Sequence, residues 1–215
     1  LRQFHKRIAL DYPTVERSLE LPIEDLAAGP SGAKEKATYQ HRDDARQLKM
    51  GDGTFSMHVV GEAKYEGWPW FKAFMDESWA QAREELKIEA VQRVGLRYIN
   101  RVPRAARDEP PGRWLKETGY IARDFLKSRG RFLSRVECRS DDHNATIVTA
   151  GINQTVPDDP GALVLDIDRI REAETPADGT AVLAVAEALH EDIWSIFREA
   201  LGDEYLGLLN RRSSP

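Results

Sequence analysis

The sequence predicts an α+β fold: an antiparallel sheet built from two related βαββ(β)α halves, with long helices packed on one face. Three observations carry that prediction. Strand-like segments come in consecutive groups joined by short turn signals, the pattern of antiparallel meanders rather than of alternating βα units. Apolar residues recur at helical spacing in long runs that close each group. The resulting order, α-β-β-β-α followed by β-α-β-β-β-α, reads as two halves, about residues 1–88 and 89–215, of a single domain spanning 1–215.

Taken in order, residues 1–10 are expected to be helical, with Leu1, Phe4 and Ile8 along one edge and Tyr12-Pro13 ending the run. Residues 22–36, rich in Gly, Ala and Pro, read as a loop. Strands follow at 38–41, 46–50 and 54–60, separated by turn signals at Asp43-Asp44 and Gly51-Asp52-Gly53. Pro69 suits a helix first turn, and Phe71, Phe74, Met75, Trp79, Ala82 and Leu86 then recur at helical spacing to about Lys87. Trp68 and Trp70 flank this start and are read as core packing.

The second half opens with a strand at 91–102. A Pro-rich loop, Pro103 to Gly112, leads into a broken helix carrying Trp114, Leu115, Tyr120, Ile121, Phe125 and Leu126. Strands are expected at 131–139, 145–152 and 162–168, the first two joined by a turn over Asp141 to Asn144. The last helix, about 177–201, presents Val182, Ala186, Leu189, Ile193, Trp194, Phe197 and Leu201 as a broad stripe and should be the main cover of the sheet. The first half lacks the strand that precedes the helix in the second. A strand ahead of Leu1 is therefore expected, and an unpaired apolar edge beside the first helix would support it.

At 41% hydrophobic and 31% charged, the chain has a globular composition able to bury a core. No apolar run approaches the roughly 20 residues of a membrane span, so a cytoplasmic location is the default expectation. The one cysteine, Cys138, excludes an internal disulfide and a cysteine metal cage. It alternates in register with Phe132, Ser134 and Val136, which predicts a buried structural thiol.

Two of the predicted strands repeat arginine at every fourth residue: Arg93, Arg97 and Arg101 in the first, and Arg131, Arg135 and Arg139 in the second. Strand side chains alternate with period two, so each triplet shares one side while Val94, Leu96 and Tyr98 face the other. These six arginines are the candidate anion- or partner-binding residues. Residues 91–140 hold 13 Lys and Arg against 5 Asp and Glu, whereas 141–215 hold 5 against 15. Two readings follow: the arginines are neutralised internally by Asp166, Asp168 or the C-terminal acids, or they form an open cationic face. The overall pI of about 5.6 argues against general nucleic-acid affinity.

The block from Val94 to Arg101, Val-Gly-Leu-Arg-Tyr-Ile-Asn-Arg, resembles a sporadically distributed bacterial family of unknown function. So do Arg42 to Trp68 with its Tyr65-Glu66-Gly67-Trp68 ending, the strand Leu165-Asp166-Ile167-Asp168, and the helix from Leu189 to Phe197. The resemblance implies mobile cargo, such as a defence or toxin-antitoxin gene, and a further strand at the start. It carries over no catalytic residue.

Catalytic sets are weak in the sequence itself. His190-Glu191 lacks the second histidine of a zinc-protease helix, since Trp194 stands there, and His190 reads as a hydrogen-bonded core residue. Asp166 and Asp168 share a strand face where Mg²⁺ is conceivable, but salt bridges to the arginines are the simpler expectation. Gly51-Asp52-Gly53 lacks the lysine of a phosphate loop. His41 and His58 on the first meander form at most a weak acid/base pair. No catalytic residue, metal or cofactor is assigned. The leading expectation is a non-catalytic binding or adaptor protein that engages a partner protein through a sheet edge or the arginine face. The alternatives are a nucleotide- or RNA-binding protein using the same arginines and an RNA-processing enzyme using His41, His58 or the aspartate pair.

Overall fold

The computed structural model describes residues 2–20, 34–61, 64–104, 106, 108–129, 132–153 and 161–212. The fold is α+β, with antiparallel sheets and long helices. It divides into two compact units, Leu1–Glu89 with Ala177–Gly179, and Ala90–Pro176 with Thr180–Pro215. Among the described residues, the strands form two separate four-stranded antiparallel sheets and one two-stranded ribbon.

The first unit holds helix α1 (Arg2–Ile8), strands β1 (Thr14–Glu20), β2 (Lys34–Gln40), β3 (Arg46–Gly51) and β4 (Thr54–Val59), and helix α2 (Trp68–Leu86). The strands lie in chain order, β1-β2-β3-β4. Turn chemistry sets the register. Asp52 and Gly53 take φ of 50° and 68°, the left-handed pair that a two-residue hairpin needs, and Gly51 pairs with Thr54 across it. That register turns Ala37, Tyr39, Leu48 and Met50 into the core, all 3% exposed or less. Gly67 (φ 107°) and Pro69 open α2, whose Phe71, Phe74, Met75, Trp79 and Ala82 are buried, and Lys87 ends it in a left-handed cap. Trp68 packs at a tilt on Phe71 and Trp70 on Phe74, so both tryptophans pack against the helix, though half-buried rather than in the core. Strand β1 was not legible in the sequence. It is an edge strand, and its described side chains other than Val15 are exposed and polar, so the apolar edge expected beside α1 is not what β1 presents. The Gly, Ala and Pro loop falls largely outside the described residues.

The second unit holds β5 (Ala90–Val91), β6 (Val94–Pro103), a 3₁₀ turn (Pro111–Arg113), α3 (Arg123–Lys127), β7 (Leu133–Arg139), β8 (Asn144–Asn153), β9 (Ala162–Arg171), β10 (Thr175–Pro176), most of α4 (Gly179–Ala200) and α5 (Asp203–Arg212). The broken helix expected over 114–126 is corrected: only the 3₁₀ turn and the five-residue α3 form. Gly119 is a poor helix former and the Thr118 hydroxyl takes up the Tyr120 and Ile121 N–H groups, so the apolar residues are buried by tertiary contacts instead, with Trp114, Leu115, Ile121 and Phe125 all 8% exposed or less. Leu115 bridges to Leu201 and Gly202 N–H donates to Trp114 O at 2.7 Å, tying this segment to the end of α4. Cys138 is exposed, contrary to the expected buried thiol. Its alternation is correct, but Glu137, Cys138, Arg139 and Ser140 are all exposed at the end of the edge strand.

A polar cluster at one end of the first sheet accounts for the buried His41. Its Nε2 lies 2.9 Å from the Arg46 guanidinium and its Nδ1 3.0 Å from the Asp43 carboxylate, and the Tyr12 ring meets it edge-on at 4.9 Å. Burial alone raises the Asp43 carboxyl, but the Arg46 and Ala45 N–H groups, the Arg46 guanidinium and His41 together hold it well below the usual carboxylate range. Burial pushes the Tyr12 phenol up to about 12, against a smaller opposing hydrogen bond with Ser78. The unfolded chain therefore ionises first as pH rises. The stabilisation from Tyr12 is intact below pH 10 and is lost between pH 10 and about 12, amounting to about 2–3 kcal/mol. Chemical denaturation across that range should show the loss in the native chain and a markedly flatter profile in Tyr12→Phe.

Candidate functional site

The second sheet runs in the order β6-β9-β8-β7, so the two arginine-bearing strands are its two edges. Cross-strand partners share a face, and the register therefore shows which residues sit together. One row reads Arg97, Asp168, Ile147 and Glu137; the next reads Ile99, Asp166, Thr149 and Arg135; the next reads Arg101, Val164, Gly151 and Leu133. Arg139 belongs to the same face, and Arg93 precedes β6 in the same alternation. The structure thus brings Arg93, Arg97, Arg101, Arg135 and Arg139 onto one side of one sheet. Arg131 lies outside the described residues.

The opposite face is the core of the unit. It carries Leu96, Val102, Val148, Ala150, Leu163, Leu165 and Ile167, all 6% exposed or less, against the buried Ala186, Leu189, Ile193 and Phe197 stripe of α4. Two polar ties fix the helix there. The buried Arg169 of β9 bonds Thr146 and Asp192, and the Tyr98 hydroxyl of β6 lies 3.4 Å from His190 Nδ1. Burial lowers the His190 pKa, which suits a histidine packed as part of the core. Tyr98 thus turns away from the arginines, as the alternation requires.

On the arginine face, compensation is real and incomplete. Arg97 makes a bidentate contact with Asp166, Nε at 2.8 Å and Nη2 at 2.5 Å, and this pairing raises the Arg97 pKa. Asp166 is only 9% exposed. Arg139 pairs with Glu172 at 2.9 Å. Elsewhere in the unit, Arg113 pairs with Glu109 and Glu204, and Lys116 with Asp203, so the basic middle and the acidic C-terminal third do meet. Arg93 and Arg135 form no hydrogen bond or ion pair among the described residues; they act on Asp168 only through their field. Burial raises the Asp168 carboxyl, opposed by Arg97, Arg93 and Arg135. Ile99 and Leu133 stand 58% and 74% exposed among these charges. Neither was singled out from the sequence, although each has the parity of its neighbouring arginines.

The remaining candidates separate. His58 pairs in register with Gln47 and Gln40, whereas His41 sits beside Arg46 on the core side, so the two histidines occupy opposite faces and form no acid/base pair. His58 lies 2.9 Å from Ser56 Oγ. Asp166 is engaged by Arg97. Among the described residues, no group of three or more His, Cys, Asp or Glu side chains is placed to hold a metal ion, and no helix is long and apolar enough to cross a membrane. No family model, curated protein or solved structure matches this chain.

The two kinds of arginine differ in what they stabilise. Arg97→Ala should cost about 1–3 kcal/mol, because it strands a buried carboxylate. Arg135→Ala should change stability by no more than about 0.5 kcal/mol. Urea unfolding midpoints of the two variants check the contrast.

Proposed function

We propose that this chain is a non-catalytic, cytoplasmic binding or adaptor protein whose arginine-bearing sheet face holds a partner protein. The observation that supports it is the pairing of Arg93 and Arg135, which lack hydrogen-bonded carboxylates among the described residues, with the exposed Ile99 and Leu133 on one face, although Ile170 and Ala145 in the Arg139 row of that face are buried. Arginine and exposed apolar side chains together are the composition of protein interfaces. Recognition through the face suits this sheet better than strand addition at its edges. Both edges carry the arginines, and charged edge strands oppose pairing with another chain.

A nucleic-acid ligand is less well supported. Asp166 and Asp168 sit on the central strand, where a phosphate backbone would meet two carboxylates. Tyr98, between Arg97 and Ile99 in the strand, belongs to the other face. Resemblance to a sporadically distributed bacterial family suits a component of a mobile system, with defence or toxin-antitoxin systems as the natural setting.

Immobilised wild-type chain and an Arg93→Glu/Arg135→Glu variant of equal melting temperature can be compared on lysate of the source organism. The expected result is a stoichiometric protein held by the first and depleted more than about tenfold on the second, a loss of about 1.4 kcal/mol or more. A companion held equally by both, or nucleic acid held by the wild type alone, contradicts the proposal.

A further inference from the structure

We infer that the occupant of this face is an acidic amphipathic helix lying along β9 and β8 between the two arginine rows. The inference rests on the binding-face reading above and deepens it. The rows stand on the outer strands, three inter-strand steps apart, or about 14 Å. A helix with its side chains is about 10–12 Å across, so one seated over the centre brings its two flanks to the two rows.

The floor between the rows suits that shape. Val164, Thr149 and Ile147 are half-buried there, Leu133 leans over Gly151 from one edge while Ile99 stands at the other, and the Arg97 guanidinium reaches Asp166 on the floor. Carboxylates on both flanks of the helix meet Arg93 on one side and Arg135 on the other. Its lower stripe is apolar, with one donor for Asp168. Asp168 is half-buried in the middle of the strip, and a carboxylate placed over it would be repelled. The helix α4 already covers the other face of the same sheet, and a second one completes the three-layer packing that sheets with two usable faces adopt.

The probe is a display library of peptides about 20 residues long, randomised among Asp, Glu, Ala, Leu, Asn, Lys and Gln, selected against the full chain. Enriched peptides should place acids on both sides of an apolar stripe recurring at i, i+3, i+4 and i+7. They should gain helical circular dichroism on binding, lose at least tenfold in affinity with a central proline, and lose at least tenfold against Arg93→Glu/Arg135→Glu. Binders with acids at alternate positions that tolerate proline overturn the helix and leave the face standing. Binders indifferent to the double variant, or no enrichment at all, overturn both. Displacement of the enriched peptides by single-stranded RNA at micromolar concentration also overturns the helix, in favour of a nucleic-acid occupant.

Discussion

The second unit depends on the placement of β9 at the interior of its sheet, paired over its whole length with β6 on one side and β8 on the other. Its alternating pattern turns Leu163, Leu165 and Ile167 towards α4 and Val164, Asp166 and Asp168 away from it. Once that strand is fixed, every other assignment follows from period two. A slip of one residue would put Asp166 and Asp168 under the helix, and burying unpaired carboxylates costs far more than the slip could return. Arg169 is the exception that the packing tolerates. It points to the helix side, and there it is tied to Thr146 and Asp192.

Edge position explains the arginines physically before any partner is considered. A four-stranded open sheet has two strands with unpaired backbone, and a row of guanidinium groups on each discourages unwanted pairing. The same residues then have a second consequence. Because both rows fall on one face, the charges that protect the edges also frame a strip about 14 Å wide. Asp166 draws Arg97 inwards and settles part of that charge; Arg93 and Arg135 have no such hydrogen-bonded anchor among the described residues. Protection and recognition are therefore compatible uses of one arrangement.

Much of this was legible locally. Period two placed the arginines on one side of each strand, Asp52-Gly53 marked the hairpin, and the Ala186, Leu189, Ile193, Phe197 spacing marked α4. What sequence could not supply was strand order. Nothing in Arg93 to Arg101 says that the strand is an edge, or that Asp166 rather than Asp168 closes on Arg97, since both depend on pairing between residues some 70 positions apart. The misreadings have similar causes. Strand β1 is polar and so lacks an apolar signal, while Trp114 to Leu126 is apolar enough to resemble a helix although the turn at Thr118-Gly119 interrupts it. Cys138 alternates correctly but stands at the exposed end of an edge strand, which strand pattern alone does not show.

Dicarbonyl modification of the native chain, followed by peptide mass spectrometry, measures the reactivity of each arginine and so tests the division of the face most directly. The account predicts that Arg93 and Arg135 react first, Arg97 several-fold more slowly despite a side chain 55% exposed, and the buried Arg169 last. Arg97 reacting as fast as Arg135 would contradict the clamp by Asp166, and Arg135 as slow as Arg169 would contradict an open face.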